Sequence, residues 1–168
     1  MALYHFSVRN VSRGKGQMVV ASAAYISGQR IFDSYYNKIH DYTSKSGVIF
    51  TEILTPEYVP ERLTDRETLW NEVEHVERNN KAQLAYSFDI ALQNELTLEE
   101  NIRLAKEFCQ EQFVARGMIV DLAVHEGKSD NEEEPDNPHF HVLVPIRPFT
   151  EEHIKIWLNW MKAEMINI

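Results

Sequence analysis

Two histidines one residue apart stand inside a run of alternating apolar residues, Asn137-Pro138-His139-Phe140-His141-Val142-Leu143-Val144-Pro145. Such alternation predicts a strand, with successive side chains on opposite faces. His139, His141 and Leu143 then share one face, and Phe140, Val142 and Val144 line the other. A second apolar run, Asp121-Leu122-Ala123-Val124-His125, ends in an acidic, glycine-containing loop. A hairpin through 126–137 would lay the two strands side by side and bring His125 beside the pair. Three imidazoles at that spacing suit one divalent metal ion. His-x-His pairs are also common on strands that hold no metal, and spacing alone assigns no chemistry.

Other segments read as follows. Ala2-Leu3-Tyr4-His5-Phe6-Ser7-Val8 alternates as an opening strand, and Arg13-Gly14-Lys15-Gly16 is a flexible basic turn. That turn lacks the Gly-Lys-Ser/Thr ending of a phosphate-binding loop. Val20 to Arg30 is a helix in which small residues flank Tyr25, leaving room for another backbone. On composition alone Tyr25 reads as a core aromatic. Residues 35–45 form a loop or hairpin arm carrying Tyr35, Tyr36 and Tyr42, with His40 at the surface. Val48–Leu54 and Gln83–Leu92 are strands, the latter placing Ser87 and Asp89 on one face. A carboxylate there can orient an imidazole ligand through its other ring nitrogen. Thr64 opens a helix with Leu69, Trp70, Val73 and Val76 on its apolar side, and His75 is solvated. Thr97-Leu98-Glu99-Glu100 is a capping box for a helix that contains Cys109 and ends at Gly117. Residues 151–168 form an amphipathic segment. The order predicts an α+β fold with a mainly antiparallel sheet and helices packed on it, without repeats or a second domain.

The 168 residues suit one domain, and the single cysteine excludes a disulfide framework, which fits a reducing, cytoplasmic setting. No run approaches a transmembrane helix, and the N-terminus lacks the apolar core of a signal peptide. The net charge of −9 argues against a nucleic-acid partner, but its distribution does not. Residues 1–47 hold six basic side chains (Arg9, Arg13, Lys15, Arg30, Lys38, Lys45) against Asp33 and Asp41, while acid gathers in runs such as 130–134. The N-terminal quarter therefore offers a local basic surface.

Tyr4-His5-Phe6, Ser22-Ala23-Ala24-Tyr25 with Ser27-Gly28, Glu95-Leu96, and Asn137-Pro138-His139-Phe140-His141 follow one another in order over residues 1 to about 148. With these segments the sequence resembles the MobA/MobL relaxases, plasmid mobilisation nickases of the His-hydrophobe-His endonuclease superfamily. Around Met118-Ile119-Val120-Asp121-Leu122 it also resembles the staphylococcal conjugative nickase. The resemblance implies His125, His139 and His141 as metal ligands and Tyr25 as the nucleophile. It implies a divalent ion (Mn²⁺ or Mg²⁺, with Zn²⁺ or Ni²⁺ also suited to three imidazoles) and a 5′-phosphotyrosyl intermediate. The implied substrate is single-stranded DNA of an origin of transfer with an adjacent hairpin, with relaxosome accessory proteins as further partners. Arg9, Arg13, Lys15 and Arg30 are the expected phosphate contacts. Family members often carry Arg-Glu or Lys-Glu at Tyr86-Ser87 and Pro at Gln93; Asp89, supported by Ser87, is the candidate replacement carboxylate beside the metal. The family domain usually continues beyond the length seen here, so C-terminal elements are expected to be missing. Two other readings stay open: a DNA-binding remnant that does not cut, and a small metalloenzyme with a three-histidine site.

Overall fold

The computed structural model describes residues 5–129 and 136–147. Strands β1 (Phe6–Ser12), β4 (Val48–Leu54), β5 (Gln83–Ala91), β6 (Val120–His125) and β7 (His139–Pro145) form one sheet in the order β1-β5-β7-β6-β4. Each neighbouring pair is antiparallel. A separate ribbon joins β2 (Arg30–Asp33) to β3 (Lys38–Asp41). The helices are α1 (Val19–Ser27), α2 (Arg66–Val76) and α3 (Leu98–Gln112).

Cross-strand partners share a face, so the pairing fixes what each face carries. One face presents His139, His141 and Leu143 of β7, His125 and Ala123 of β6, and Asp89 and Ala85 of β5. Its inner part packs under α1 and α2, where Val19, Val20, Ala23, Ala24, Leu69 and Trp70 meet Ala85, Ala123 and Leu143. The opposite face carries Leu122, Val124, Phe140 and Val142, and packs against Ala105 and Cys109 of α3. With helices over both faces, β6 is buried along its whole length. Cys109 lies in this second core, where burial pushes its thiol up to about 12 and leaves it inert.

Two buried ionic clusters fix α2. The Asp121 carboxylate, fully buried, accepts from Arg66 Nε and Nη2 and from Trp70 Nε1 at 2.8–3.0 Å, tying α2 to β6. Arg13 donates to Glu74 Oε1 through Nε and Nη2, and to the carbonyls of Glu74, Glu77 and Asn79. The expectation of Arg13 as a DNA contact is therefore corrected. Its guanidinium is turned inward and occupied, because a buried Glu74 requires a partner. Residues Arg13–Lys15 form a short 3-10 helix instead of a flexible turn.

Other corrections are local. The first strand runs to Ser12, with residues 2–4 outside the described residues. Helix α1 stops at Ser27, because Gly28 adopts a left-handed φ of 64° and its missing Cβ would sit 3.2 Å from Val48. Arg30 consequently begins a strand. Residues 30–41 form a true hairpin, turned at Asn37 with φ 49°, and His40 is buried with its Nε2 3.4 Å from Asp33 Oδ2. The α2 cap is Asp65, whose carboxylate accepts from Thr68 N at 2.8 Å; Thr64 closes a preceding 3-10 turn. His75 is exposed as expected, with Nε2 2.8 Å from Ser34 Oγ. The acidic run 130–134 and the amphipathic segment 151–168 lie outside the described residues. No helix among the described residues is long and apolar enough to cross a membrane.

The Thr97 capping box forms in full, with Glu100 N donating to Thr97 Oγ1 and Thr97 N to Glu100 Oε2. Thr97→Ala is expected to cost about 1 kcal/mol in urea unfolding without altering chemistry at the histidines.

Candidate metal centre

The hairpin register sets His125 directly opposite His139, and Asp89 of β5 opposite His141. Three imidazoles thus meet at one end of the sheet, with ring centroids 4.6–5.2 Å apart. One nitrogen from each ring lies within 4.8 Å of the others.

Backbone carbonyls fix two of the rings. His125 Nε2 is 2.7 Å from the Ile26 carbonyl, and His139 Nδ1 is 2.7 Å from the Asn137 carbonyl. A carbonyl oxygen only accepts, so each of these nitrogens carries the proton. The lone pairs then reside on His125 Nδ1 and His139 Nε2. Burial pushes His125 down to about 4, opposed by the bond to Ile26 and aided by the positive charge of Lys45. Burial likewise lowers His141 to about 4, against the pull of Asp89. Both rings are neutral at pH 7 and able to donate. Three imidazoles converging on one point, two of them held with a lone pair free by backbone carbonyls, fit a divalent ion and leave coordination positions for oxygen ligands. Asp89 Oδ2 lies 4.0 Å from His141 Nδ1, close enough to bias its charge but too long for a hydrogen bond.

Tyr25 immediately precedes the residue whose carbonyl holds His125. Its side chain, 50% exposed, packs edge-on against Tyr42 at 5.4 Å. Lys45 Nζ lies 3.7 Å from the Tyr25 ring centroid and donates to the Tyr25 carbonyl at 3.0 Å. Tyr35 and Tyr36 sit on the ribbon turn and meet edge-on at 4.9 Å; Tyr35 is also flanked by Arg13 and His75.

Ser87 shares the histidine face and is paired with Arg9 of β1, which is exposed. Lys15 is exposed, and Gly14 before it packs against Lys81. Arg30 is exposed on the ribbon, 3.7 Å from Asp41. Three contributors carry no motif: the Ile26 carbonyl, Lys45 and Gly127. Gly127 has φ 56°, and a Cβ there would stand 1.9 Å from the Asn137 carbonyl oxygen. Its position two residues after a candidate ligand, opening the hairpin loop, is the one signal in the sequence.

The chain resembles known proteins over most of its length. Residues 17–166 match the model of the MobA/MobL family. A conjugal transfer protein TraA of Agrobacterium fabrum is 38% identical over 90% of this chain, which covers 14% of that protein. A probable mobilization protein MobA of Bifidobacterium longum is 34% identical over 88% of this chain and 25% of its own length. The chain thus spans a minor part of these relatives. A chain from the solved structure on the molecular basis of vancomycin resistance transfer in Staphylococcus aureus superposes with a TM-score of 0.80. It is 39% identical, over 90% of this chain and 74% of that one. On the family match and the shared sheet and helices, the chain belongs to the MobA/MobL family.

Proposed function

We propose that this chain is a DNA strand transferase that cuts one strand at an origin of transfer and keeps the 5′ end on Tyr25. The observation that supports the reading is the joint between α1 and the histidines: His125 donates to the carbonyl of Ile26, the residue that follows Tyr25. Family membership and relatives named for conjugal transfer and mobilisation support it.

In this reading the Tyr25 oxygen bonds to the scissile phosphorus and the bond from phosphorus to the 3′-oxygen breaks. The departing oxygen takes up a proton to become a 3′-hydroxyl, and the phenol gives one up. No net co-reactant is consumed, and the phosphotyrosyl bond stores the energy for rejoining. A tyrosine hydroxyl, with a pKa of about 10, attacks weakly unless the phosphate's charge is offset. A divalent ion held by His125, His139 and His141, as Mn²⁺ or Mg²⁺ or a softer ion such as Zn²⁺ or Ni²⁺, supplies that offset. Asp89, assisted by Ser87, biases His141. Arg9, Lys15 and Arg30 contact the strand's backbone, and binding weakens steeply with salt as counterions are displaced. The partners are single-stranded origin DNA with its hairpin and accessory proteins assembled there.

The test uses single-stranded oligonucleotides tiled across the DNA flanking the chain's own coding sequence, incubated with Mn²⁺. Mass spectrometry should find a nucleotide adduct on the Tyr25 peptide, lost with EDTA and in His139→Ala. An adduct on Tyr35, Tyr36 or Tyr42, or cutting that survives chelation, overturns the assignment. Tight binding without cutting identifies a DNA-binding module instead.

A further inference from the structure

The turn after β3 brings a cation to the metal centre that the proposed reaction has not used. Lys45 N donates to the Tyr42 carbonyl at 2.9 Å, and the nearby Gly47 carbonyl accepts from Glu126 N, the residue after His125, at 3.0 Å. These bonds stitch residues 42–47 to the end of β6. Lys45 Nζ spends one N–H on the Tyr25 carbonyl and stands over the Tyr25 ring. An ammonium has three donors, so two remain.

The charge balance is unusual. Lys45 has no ion pair among the described residues, although its side chain is half-buried. It lies within electrostatic reach of both His125 and His141, and burial lowers its own pKa. Around the histidines the carboxylate recorded in contact is Asp89, beside His141. A divalent ion would add further positive charge. Such a cluster suits an anion that arrives from outside. A lysine at a helix C-terminus can also serve simply to cap carbonyls. That role would not account for an ammonium over the nucleophile's ring with two donors unspent.

We propose that Lys45 is a substrate-contacting residue whose ammonium holds a non-bridging oxygen of the scissile phosphate against Tyr25. The inference rests on Tyr25 as nucleophile. With the phosphate in place, Lys45 bridges the Tyr25 carbonyl and the phosphate oxygen, and so fixes the distance between nucleophile and phosphorus.

The experiment takes the oligonucleotide cut in the adduct assay and a copy with a neutral methylphosphonate at the scissile position. Affinities are measured in the uncut Tyr25→Phe background, with Lys45, Lys45→Met or Lys45→Arg, in Mn²⁺ and in EDTA. With Lys45 the native phosphate should bind about tenfold more tightly than the neutral probe, as a charge-assisted hydrogen bond implies. In EDTA, where no ion contacts the phosphate, Lys45→Met should bring that ratio close to one; in Mn²⁺ it should lower it, and Lys45→Arg should restore part of it in both. In the presence of Tyr25, Lys45→Met should slow single-turnover cutting while Mn²⁺ affinity holds. A Tyr25 adduct together with an unchanged phosphate ratio in Lys45→Met overturns the inference alone and leaves Lys45 as a helix cap. Absence of any Tyr25 adduct in the unaltered protein overturns the underlying reading and the inference with it.

Discussion

Tyr25→Phe should abolish nicking and the covalent adduct while leaving the fold and DNA affinity essentially intact. The substitution removes one oxygen. The ring, its edge-on contact with Tyr42 and the Lys45 ammonium above it all remain possible, and the side chain is half in solvent, so no buried partner is left unsatisfied. Removing the attacking atom from a covalent mechanism should lower single-turnover cutting by at least ~10³-fold. Thermal unfolding should be unchanged, and fluorescence anisotropy should give origin-DNA affinity within about twofold of the unaltered protein. Tyr42→Phe serves as the matched control, because Tyr42 touches Tyr25 and lies on the Lys45 turn. Retained cutting in Tyr25→Phe would remove Tyr25 from the nucleophile's role, and retained cutting there with its loss in Tyr42→Phe would transfer that role to Tyr42.

How legible the site was follows from where its information lies. Alternation in residues 139–145 fixes which histidines share a face, and a hairpin with one buried face has little freedom to slip. The set of His125, His139 and His141, with Asp89 alongside, could therefore be read from local pattern. The α+β, antiparallel architecture follows from the same alternation, together with clear helix caps such as Thr97. Arg13 is not legible as a buried residue, because nothing near it in sequence marks it so. Its partner Glu74 is 61 residues away, and their meeting depends on how α2 seats on the sheet. His40 fails for a similar reason: Asp33 becomes its neighbour only when residues 30–41 fold back as a ribbon. Lys45 is invisible at the sequence level because its role comes from a turn packed between the end of α1 and the end of β6. Backbone carbonyls such as those of Ile26 and Asn137 carry no side-chain signature at all, though they orient two of the three rings.

The Asn137 carbonyl makes Gly127 a sensitive position for the histidine site. Gly127 and Asn137 close the hairpin loop, with Asn137 N donating to the Gly127 carbonyl at 2.8 Å. The Asn137 carbonyl in turn accepts from His139 Nδ1–H. A Cβ on Gly127 would lie 1.9 Å from that carbonyl oxygen, 2.6 Å from its carbon and 3.2 Å from His139 Nδ1. Backbone cannot yield as a flexible side chain can, so Gly127→Ala must displace Asn137 and release the ring it orients. The positive φ alone costs roughly 1–2 kcal/mol for a residue with a Cβ, and the overlap adds to it. Losing the carbonyl that fixes a ligand's tautomer should weaken metal binding about 10–100-fold. Gly16→Ala separates the two effects: it has φ 71° and open space around its Cβ, so it should show the backbone cost without the metal loss. Calorimetric titration with Mn²⁺ or Ni²⁺, beside urea unfolding of both variants, reads the difference. Metal affinity in Gly127→Ala equal to that in Gly16→Ala would show that His139 keeps its orientation without the Asn137 carbonyl, and would remove Gly127 from the site.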